Sequence, residues 1–298
     1  MQASSPWHMG RVAPSVVMSF CCLVGIPGNV AVIAVLRRRM NTQRESFTLT
    51  LILNLAVWDL LSLLLLPFWI FNLQRDWILG SVPCKLLFFL LYWCMNTSVL
   101  TVTLLSVQRY MQVLYPQRWA RLGLAGHKGL LLTIWALGSC IASPSLSLRR
   151  VSGGNSARCE VDYRSPSVEA AVLLGQSILG FVVPFSILVS LYVCLQRRVG
   201  QASQWSSTGR MTKLITSIVV SFFIFWTPLH VFNMLTLIGL VVESQELRDV
   251  CEASWDLLIA LTFLNACLNP FLYAFSHSRI QTPTARVTNL QQPEQTPQ

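Results

Sequence analysis

The chain contains 298 residues, of which 53% are hydrophobic and only 11% are charged. Soluble domains carry about 25% charged residues, so a chain with a mean hydropathy of +0.55 has too few charges to cover the surface of a water-soluble globule. The same hydrophobicity excludes a disordered chain. The net charge of +10 is compatible with nucleic-acid binding, but the placement of the charges argues for a membrane protein and against that partner.

The charged residues divide the chain into seven long segments, and only the second contains a charge, at Asp59. Each segment reaches the roughly 20 mostly apolar residues that a membrane-spanning helix needs. Polar and apolar residues do not alternate as they would in barrel strands. We therefore predict an all-α membrane protein with a bundle of seven transmembrane helices. The segments are 12–36, 46–74, 86–108, 129–148, 170–196, 214–242 and 257–278.

Positive charges concentrate on one side of the predicted membrane. With the N-terminus outside, the cytoplasmic segments carry 14 basic and 2 acidic residues, whereas the outer segments carry 8 basic and 9 acidic residues. The positive-inside rule therefore predicts an outer N-terminus, and the inner bases can also contact anionic membrane lipids. We expect a multi-pass plasma-membrane protein with a short extracellular N-terminus at 1–11, a seven-helix domain at 12–275 and a short cytoplasmic tail at 276–298.

Three of the nine cysteines are expected to face outside, namely Cys84, Cys159 and Cys251. In an oxidising compartment a Cys84–Cys159 disulfide is the natural pairing, and it would hold the second outer loop over the bundle. Cys251 is then left as a free thiol. The cysteines show neither a CxxC pair nor a zinc-ligand spacing.

Asp59 is the only carboxylate inside a predicted span, and several amides and hydroxyls accompany it, among them Asn54, Ser98, Asn265 and Asn269. Polar groups inside a membrane are costly and are therefore candidates for function. A buried carboxylate among such groups could hold a small cation or a proton. A hydrogen-bonded network that only packs the helices is the alternative.

Interior prolines at Pro67, Pro184, Pro228 and Pro270 favour a bundle that can move, because each proline removes a backbone hydrogen bond and kinks its helix. Arg109 closes the third predicted helix. A single basic residue at that position would ordinarily be an interface anchor.

Taken together, these residues resemble the rhodopsin-like (class A) G-protein-coupled receptors over about residues 12–280, and each span carries a motif of that family. No single motif is specific, whereas the set of seven in order is. The motifs are Asn29, Leu55-Ala56-Val57-Trp58-Asp59, Cys84 with Arg109-Tyr110, Trp135, Pro184 with Tyr192, Phe225-Trp226-Thr227-Pro228, and Asn269-Pro270-Phe271-Leu272-Tyr273.

The resemblance implies roles for these positions and a heterotrimeric G protein as the cytoplasmic partner. It implies an allosteric sodium pocket lined by Asp59, Ser98, Asn265 and Asn269. It implies an activation switch formed by Arg109, Tyr192, Phe222, Trp226, Pro228 and Tyr273. Where the family usually has an acid before the arginine, this chain has Gln108. Gln108 can accept a hydrogen bond from Arg109 but supplies no charge, so we expect a weaker restraint on the inactive state.

The candidate ligand site combines basic and aromatic residues at the outer side. Arg149 and Arg150 follow the fourth predicted helix, and an arginine pair over an apolar cavity suits a carboxylate on a long hydrophobic tail. Alternatively, the two arginines only lie at the membrane interface and bind no ligand. Leu91 stands where amine receptors of the family place an acid, which argues against an amine ligand. The further candidates in the upper bundle are Tyr92, Gln176, His230 and Asn233.

Within the family, Leu104-Leu105-Ser106-Val107-Gln108-Arg109 and Pro228-Leu229-His230-Val231-Phe232-Asn233 are similar to leukotriene B4 receptors, as is Arg149 after Pro144. This resemblance implies a receptor for a lipid chemoattractant that couples to inhibitory G proteins, with arrestin as a further partner. The tail departs from the family pattern because Pro283 interrupts it. A chemoattractant-peptide receptor of the same fold is the alternative. A transporter, a channel or a membrane enzyme is a remote alternative, because the sequence contains neither internal repeats nor paired carboxylates.

Overall fold

The structure is a computed structural model that describes residues 6–42, 46–152, 157–199 and 208–278. It contains ten α-helices and a two-stranded hairpin within these ranges. The helices are α1 (Pro6–Thr42), α2 (Phe47–Gln74), α3 (Ser81–Leu114), α4 (Pro116–Arg121), α5 (Gly123–Ala142), α6 (Pro144–Leu148), α7 (Pro166–Ser177), α8 (Val183–Val199), α9 (Thr208–Val241) and α10 (Gln245–Ser278); the strands are β1 (Arg149–Val151) and β2 (Cys159–Val161).

Seven helical spans in the described ranges are long and apolar enough to cross a membrane. The prediction of an all-α bundle of seven membrane helices is therefore confirmed. The third span ends close to Arg109, and its other end carries Cys84. We refer to the two ends of the bundle as the disulfide end, which carries Cys84, and the Arg109 end. Which end faces the cytoplasm remains a prediction from the charge distribution.

The predicted boundaries at residues 12 and 275 fall inside helices. Residues 6–11 continue α1 without a break, and α10 ends at Ser278. The remainder of the predicted tail, 279–298, lies outside the described residues, as do residues 1–5. The helices exceed the uncharged segments because charged residues can extend a helix beyond the hydrocarbon into the lipid headgroups.

Apolar side chains cover the outside of the bundle as well as its inside. Leu23, Leu132 and Ile224 each expose more than 60% of their surface. In water such an apolar surface would drive association, whereas in a bilayer it faces lipid tails. Two buried clusters lie inside the bundle: one toward the disulfide end contains Trp69, Phe88 and Trp226, and one toward the Arg109 end contains Leu55, Leu105 and Ile218.

Helix α1 is joined to α10 by a buried amide. Asn29 Nδ2 donates to Gly25 O at 2.9 Å within α1 and to Ala266 O at 3.0 Å on α10. Gly28 allows this close approach, because a Cβ atom at that position would lie 3.0 Å from the ring of Pro270. The two helices are thereby held together within their membrane-spanning segments, where water cannot satisfy a polar group.

The prolines affect the helices in different ways. Helices α2, α9 and α10 continue through Pro67, Pro228 and Pro270. A π-helical turn at Ile178–Val182 connects α7 to α8 just before Pro184. Because Pro184 lacks an N–H group and its ring crowds the carbonyl four residues earlier, the wider π turn accommodates it without ending the span.

The packing of α3 against α5 depends on a glycine. A Cβ atom added at Gly138 would overlap Thr97 Oγ1 and would lie 3.3 Å from the Thr97 backbone nitrogen. Thr97 is fully buried, so it cannot move away without shifting α3. Gly129 lies on the same helix, and a Cβ there meets nothing within 4 Å.

We predict that Gly138→Ala lowers the thermal stability of the detergent-solubilised protein, because overpacking a close helix contact costs about 1–3 kcal/mol. The matched variant Gly129→Ala should leave the melting temperature unchanged or raise it slightly. Fluorescence-detected melting of both variants is the measurement. Equal melting temperatures for Gly138→Ala and the wild type would show that the two helices are not in close contact there.

Candidate functional site

The loop between α6 and α7 is pinned across the disulfide end of the bundle. Cys84 of α3 and Cys159 of β2 form a disulfide with a Cα–Cα distance of 5.6 Å, which confirms the predicted pairing. Cys251 is buried and free, also as predicted. The strands β1 and β2 pair antiparallel with Arg149 opposite Val161, so the disulfide places the hairpin directly beside the Cys84 end of α3.

Arg149 and Arg150 face opposite sides of this hairpin. They directly follow α6, whose C-cap is Arg149, and they begin β1; successive side chains of a strand point to opposite faces. Arg149 is therefore buried, with 6% of its surface exposed. Arg150 points outward and forms an exposed ion pair with Asp162 at 3.1 Å. The structure thus separates the two arginines that the sequence suggested as a pair.

Neutral groups surround the Arg149 guanidinium. Its Nη1 donates to Cys159 O at 3.2 Å and its Nη2 to the Tyr92 hydroxyl at 3.1 Å. The guanidinium carbon lies 3.9 Å from the centroid of the Phe88 ring, a cation–π arrangement. The buried Nε has no hydrogen-bond partner among the described residues, and no carboxylate there forms an ion pair with this arginine.

Tyr163, in the loop between α6 and α7, does not provide a negative charge to pair with Arg149. Tyr163 interacts electrostatically with Arg149 and Tyr92, and burial raises the pKa of its phenol above the ordinary value. The phenol therefore stays neutral near pH 7. Asp256 of α10 accepts a hydrogen bond from Trp69 Nε1 at 3.3 Å. It interacts electrostatically with Arg149 but forms no ion pair with it.

His230 and Asn233 form a second polar group with Ser177 at the start of the π turn. His230 Nδ1 and Asn233 Nδ2 each lie 3.4 Å from Ser177 Oγ. His230 Nε2 and Asn233 Oδ1 are buried and have no hydrogen-bond partner among the described residues. His230 also stacks on Phe181 with the ring centroids 4.6 Å apart. Gln176, one residue before Ser177, is half-buried.

A line of aromatic rings runs along α9 from His230 toward the middle of the bundle. Trp226 is 6.0 Å from His230 and 5.3 Å from Phe222, measured between ring centroids. The three residues are spaced by four, so they lie on one face of the helix. Pro228 lies within the same stretch of α9.

Asp59 lies close to the Phe222 end of this line of rings. Its Oδ1 accepts from Ser98 Oγ at 2.9 Å and its Oδ2 from Asn269 Nδ2 at 2.7 Å. A cavity of about 20 Å³ adjoins the carboxylate, and Asp59, Ser98, Asn265, Phe222 and Trp226 are among the residues that line it. Asn265 Oδ1 accepts from Ser221 of α9 at 3.0 Å. Three of the four predicted sodium ligands thus line one cavity, and Asn269 bonds to the carboxylate.

Three of the predicted switch residues, Arg109, Tyr192 and Tyr273, lie at the Arg109 end of the bundle. Arg109 and Tyr192 line a mostly apolar cavity of about 260 Å³ between α3, α8 and α9. Tyr192 is exposed on the side of the bundle. Tyr273 packs against the buried cluster at this end, and its hydroxyl is buried without a hydrogen-bond partner among the described residues.

The Gln108 side chain bonds to α2 and not to Arg109. It is 1% exposed, and its Nε2 donates to Thr48 Oγ1 on α2 at 2.8 Å. Arg109 does not donate to the Gln108 Oε1 atom that could accept from it, since this oxygen has no hydrogen-bond partner in the described part of the chain. Gln108 therefore connects α3 to α2 and leaves an unsatisfied buried oxygen.

Sequence reasoning missed several residues that complete these sites. Phe88, Ser177, Ser221 and Thr48 each contact a predicted residue from a different element of the fold. Apolar and hydroxyl residues are common in every span, so these positions have no distinguishing local pattern. Helical spacing from Trp226 could have indicated the aromatic line, since His230 and Phe222 lie four residues on either side.

The chain matches the family model "7 transmembrane receptor (rhodopsin family)" over residues 28–273. It is 34% identical over 286 residues to leukotriene B4 receptor 1 of Rattus norvegicus, covering 91% of this chain and 78% of the relative. The human leukotriene B4 receptor 1 is 32% identical over 269 residues, covering 87% of this chain and 75% of the relative.

The C3a anaphylatoxin chemotactic receptor of Danio rerio is 30% identical over 274 residues, covering 89% of this chain and 72% of the relative. These relatives are receptors and not enzymes, and the chain shares their seven membrane spans. It is accordingly a multi-pass plasma-membrane protein. The chain belongs to the rhodopsin family of seven-transmembrane receptors, within the chemoattractant group of G-protein-coupled receptors.

Proposed function

We propose that this chain is a receptor for an anionic lipid chemoattractant of the leukotriene B4 type. The ligand binds from the extracellular side at the disulfide end, and an inhibitory heterotrimeric G protein couples at the Arg109 end. The observation that carries the proposal is the buried Arg149 guanidinium, which has aromatic and neutral polar neighbours and an unpartnered Nε. The relatives named as leukotriene B4 receptors support the ligand class.

Arg149 retains the capacity to bind a carboxylate. A guanidinium carries five N–H donors, and the described contacts of Arg149 use two of them. A buried cation without a carboxylate partner is costly, so an anionic ligand that reached it would gain a charge-assisted hydrogen bond in a region of low dielectric. Its contacts with Phe88 and Tyr92 already hold the guanidinium plane in place, which reduces the entropy lost on binding.

The neighbours of Arg149 also suit an apolar tail. Phe88 contacts Trp69 with ring centroids 5.2 Å apart, and Trp69 in turn contacts Phe263 at 6.4 Å. These rings belong to α3, α2 and α10, so they form an apolar cluster that crosses the bundle. The three rings expose only 2–3% of their surface, so a long hydrocarbon chain would enter among them by replacing ring-to-ring contacts with contacts to its own methylene groups, each of which gains about 0.8 kcal/mol on leaving water.

A peptide also ends in a carboxylate. The similarity to a C3a anaphylatoxin chemotactic receptor makes a chemoattractant peptide the second candidate. Its terminal carboxylate would bind the same guanidinium. The two candidates differ in the rest of the ligand, since a peptide brings backbone amides that need hydrogen-bond partners. The apolar cluster offers few such partners, which favours the lipid.

Activation follows as a population shift between two arrangements of the bundle. A ligand can shift the equilibrium only if it binds one arrangement more tightly. The unpartnered His230 Nε2 lies at the ligand end of the aromatic line that reaches Phe222. A ligand that displaces His230 therefore changes the packing of α9 beside Asp59. The G protein favours the same arrangement from the opposite end, so the two affinities are reciprocally coupled.

The Asp59 site fits a sodium ion as an allosteric ligand. Asp59 is 2% exposed, and no basic side chain among the described residues forms an ion pair with it. A cavity of about 20 Å³ exceeds the roughly 10–15 Å³ that one water molecule needs, so a small cation has room beside the carboxylate. Asp59, Ser98 and Asn265 would provide oxygen ligands, and the buried, unpartnered Asn269 Oδ1 could provide a further one.

The first prediction concerns the ligand and uses the two adjacent arginines. Leukotriene B4 should inhibit cyclic-AMP production in cells that express the wild type, and Arg149→Ala should weaken its potency about 30-fold or more, because losing one partner of a buried charge pair costs about 2–5 kcal/mol. Arg150→Ala is the matched control, because an exposed ion pair is worth about 0–1 kcal/mol.

Surface expression is measured for each variant in parallel. A wild-type chain at the surface that does not respond to leukotriene B4 would contradict the ligand assignment and favour the peptide class. Equal losses for the two arginine variants would contradict the role of Arg149.

The second prediction concerns sodium and requires no agonist. In NaCl the purified wild type should melt at a higher temperature than in KCl of equal ionic strength, because an ion that binds only the folded protein stabilises it. Asp59→Asn should abolish this difference. Asp249→Asn, which removes an exposed carboxylate from the start of α10, should retain it. A sodium effect that persists in Asp59→Asn would contradict the proposed site.

The third prediction concerns the restraint at the Arg109 end. Gln108→Asp should lower ligand-free signalling, because a carboxylate beside Arg109 adds an attraction that the neutral amide does not supply. Thr48→Val removes the hydrogen-bond partner of Gln108 without adding a charge, and it should not lower basal signalling. Both are compared at matched surface density by ligand-free cyclic-AMP levels. Equal basal signalling from wild type and Gln108→Asp would refute the prediction.

A further inference from the structure

The side chain of Asn72, near the end of α2, binds both backbone groups of Cys159. Asn72 Oδ1 accepts from Cys159 N at 2.9 Å, and Asn72 Nδ2 donates to Cys159 O at 3.1 Å. Asn72 is buried, with 9% of its surface exposed. The primary amide thus pairs with the first residue of β2 as a neighbouring strand would.

The same Cys159 carbonyl oxygen also accepts the hydrogen bond from Arg149 Nη1. One acceptor therefore joins the Asn72 amide and the Arg149 guanidinium, and its two lone pairs are both used. The disulfide holds the Cys159 side chain, and the β1–β2 pairing restrains the backbone around it, since Arg158 O accepts from Ser152 N at 2.8 Å. Asn72 adds a direct restraint on the side of the strand that faces away from β1, because it binds the N–H and the C=O groups of Cys159 at once.

We propose that Asn72 is a positioning residue for Arg149. By fixing the direction of the Cys159 carbonyl it holds the guanidinium over Phe88 with its Nε unpartnered, and so it sets the preference for a carboxylate over a neutral head group. The effect of Asn72 on ligand choice rests on the proposed function. The positioning itself is a property of the ligand-free protein and can be measured without any agonist.

The variant Asn72→Leu keeps a similar side-chain volume and removes both hydrogen bonds. Gln74→Leu is the matched control, because Gln74 lies two residues further along α2 and its amide binds Arg11 O and Ser15 Oγ on α1, away from the hairpin. Both variants lose side-chain amide contacts at the same end of the same helix. Only Asn72→Leu loses contacts with the carbonyl that holds Arg149.

The first measurement uses phenylglyoxal, which modifies accessible guanidinium groups, on the purified full chain, with the sites quantified by mass spectrometry. Arg150 is the internal reference because its side chain is 55% exposed. In the wild type and in Gln74→Leu, Arg149 should react much more slowly than Arg150. In Asn72→Leu the ratio of Arg149 to Arg150 modification should rise several-fold. An unchanged ratio would overturn the proposal, whatever the identity of the ligand.

The second measurement compares leukotriene B4 with its methyl ester in the cyclic-AMP assay. Asn72→Leu should reduce the potency of the acid about tenfold, which corresponds to about 1.4 kcal/mol, and should change that of the ester less than twofold. On an Arg149→Ala background the same substitution should have no further effect on the acid, since the two residues act through one contact. Equal losses for acid and ester, or additive losses in the double variant, would show a merely structural role.

The two measurements separate this proposal from the proposed function. If leukotriene B4 does not activate the surface-expressed wild type, the ligand assignment fails, and the phenylglyoxal ratio alone decides whether Asn72 positions Arg149. If the acid is active and the ratio does not change in Asn72→Leu, the receptor assignment stands and the positioning role is rejected.

Discussion

The cost of an unpaired polar group in hydrocarbon governs this structure more than any other constraint. Water cannot satisfy such groups inside the membrane, so each polar side chain must find a partner within the bundle. Asn29 joins α1 to α10 for this reason. Asn54 Nδ2 donates to Thr101 Oγ1 of α3, and Asn54 Oδ1 accepts from Trp135 Nε1 of α5. The apolar residues provide area, and these few amides determine which helix faces lie together.

The same constraint makes the exceptions informative. Buried atoms without partners in the described ranges include Arg149 Nε, His230 Nε2 and Asn233 Oδ1 at the disulfide end, and Gln108 Oε1 at the other end. Each carries a desolvation cost of about 1–3 kcal/mol. Asn29, Thr97 and Asn269 have unpartnered buried atoms in the middle of the bundle as well, whereas those at the two ends lie where the proposed ligand and G protein would bind and could be satisfied by them.

Local composition was sufficient to predict the seven spans, because the absence of charge over 20 or more residues is a property of each segment alone. The disulfide was also predictable, since few cysteines lie outside the apolar segments. The β1–β2 hairpin was not, because a three-residue strand shows no measurable periodicity. That omission caused the two arginines to be treated as a pair, whereas strand alternation places Arg149 inside and Arg150 outside.

Contacts between distant residues were the least predictable part. Nothing in the run around Gln108 indicates that Thr48, 60 residues away, provides its hydrogen-bond partner. Nothing near Asn72 indicates a bond to Cys159, 87 residues later. An amide can bind any backbone or hydroxyl group within reach, so its chemistry does not select a partner until the fold has brought the candidates together. The residues that hold a charged group in place are for this reason harder to identify from a sequence than the charged group itself.

Two oppositely charged side chains are buried among the described residues, Asp59 in the bundle and Arg149 on the hairpin. Asp59 is a carboxylate surrounded by neutral donors, and Arg149 is a guanidinium surrounded by neutral acceptors and aromatic rings. Neither forms an ion pair among the described residues, although Asp256 interacts electrostatically with Arg149 at longer range. They lie in different parts of the bundle, and the aromatic line of α9 ends beside Asp59. A cation at one site and an anion at the other would each complete a local charge. Helix α3 carries Phe88 and Tyr92 beside Arg149 and Ser98 beside Asp59, so a shift of α3 on completing one charge would change the free energy of completing the other.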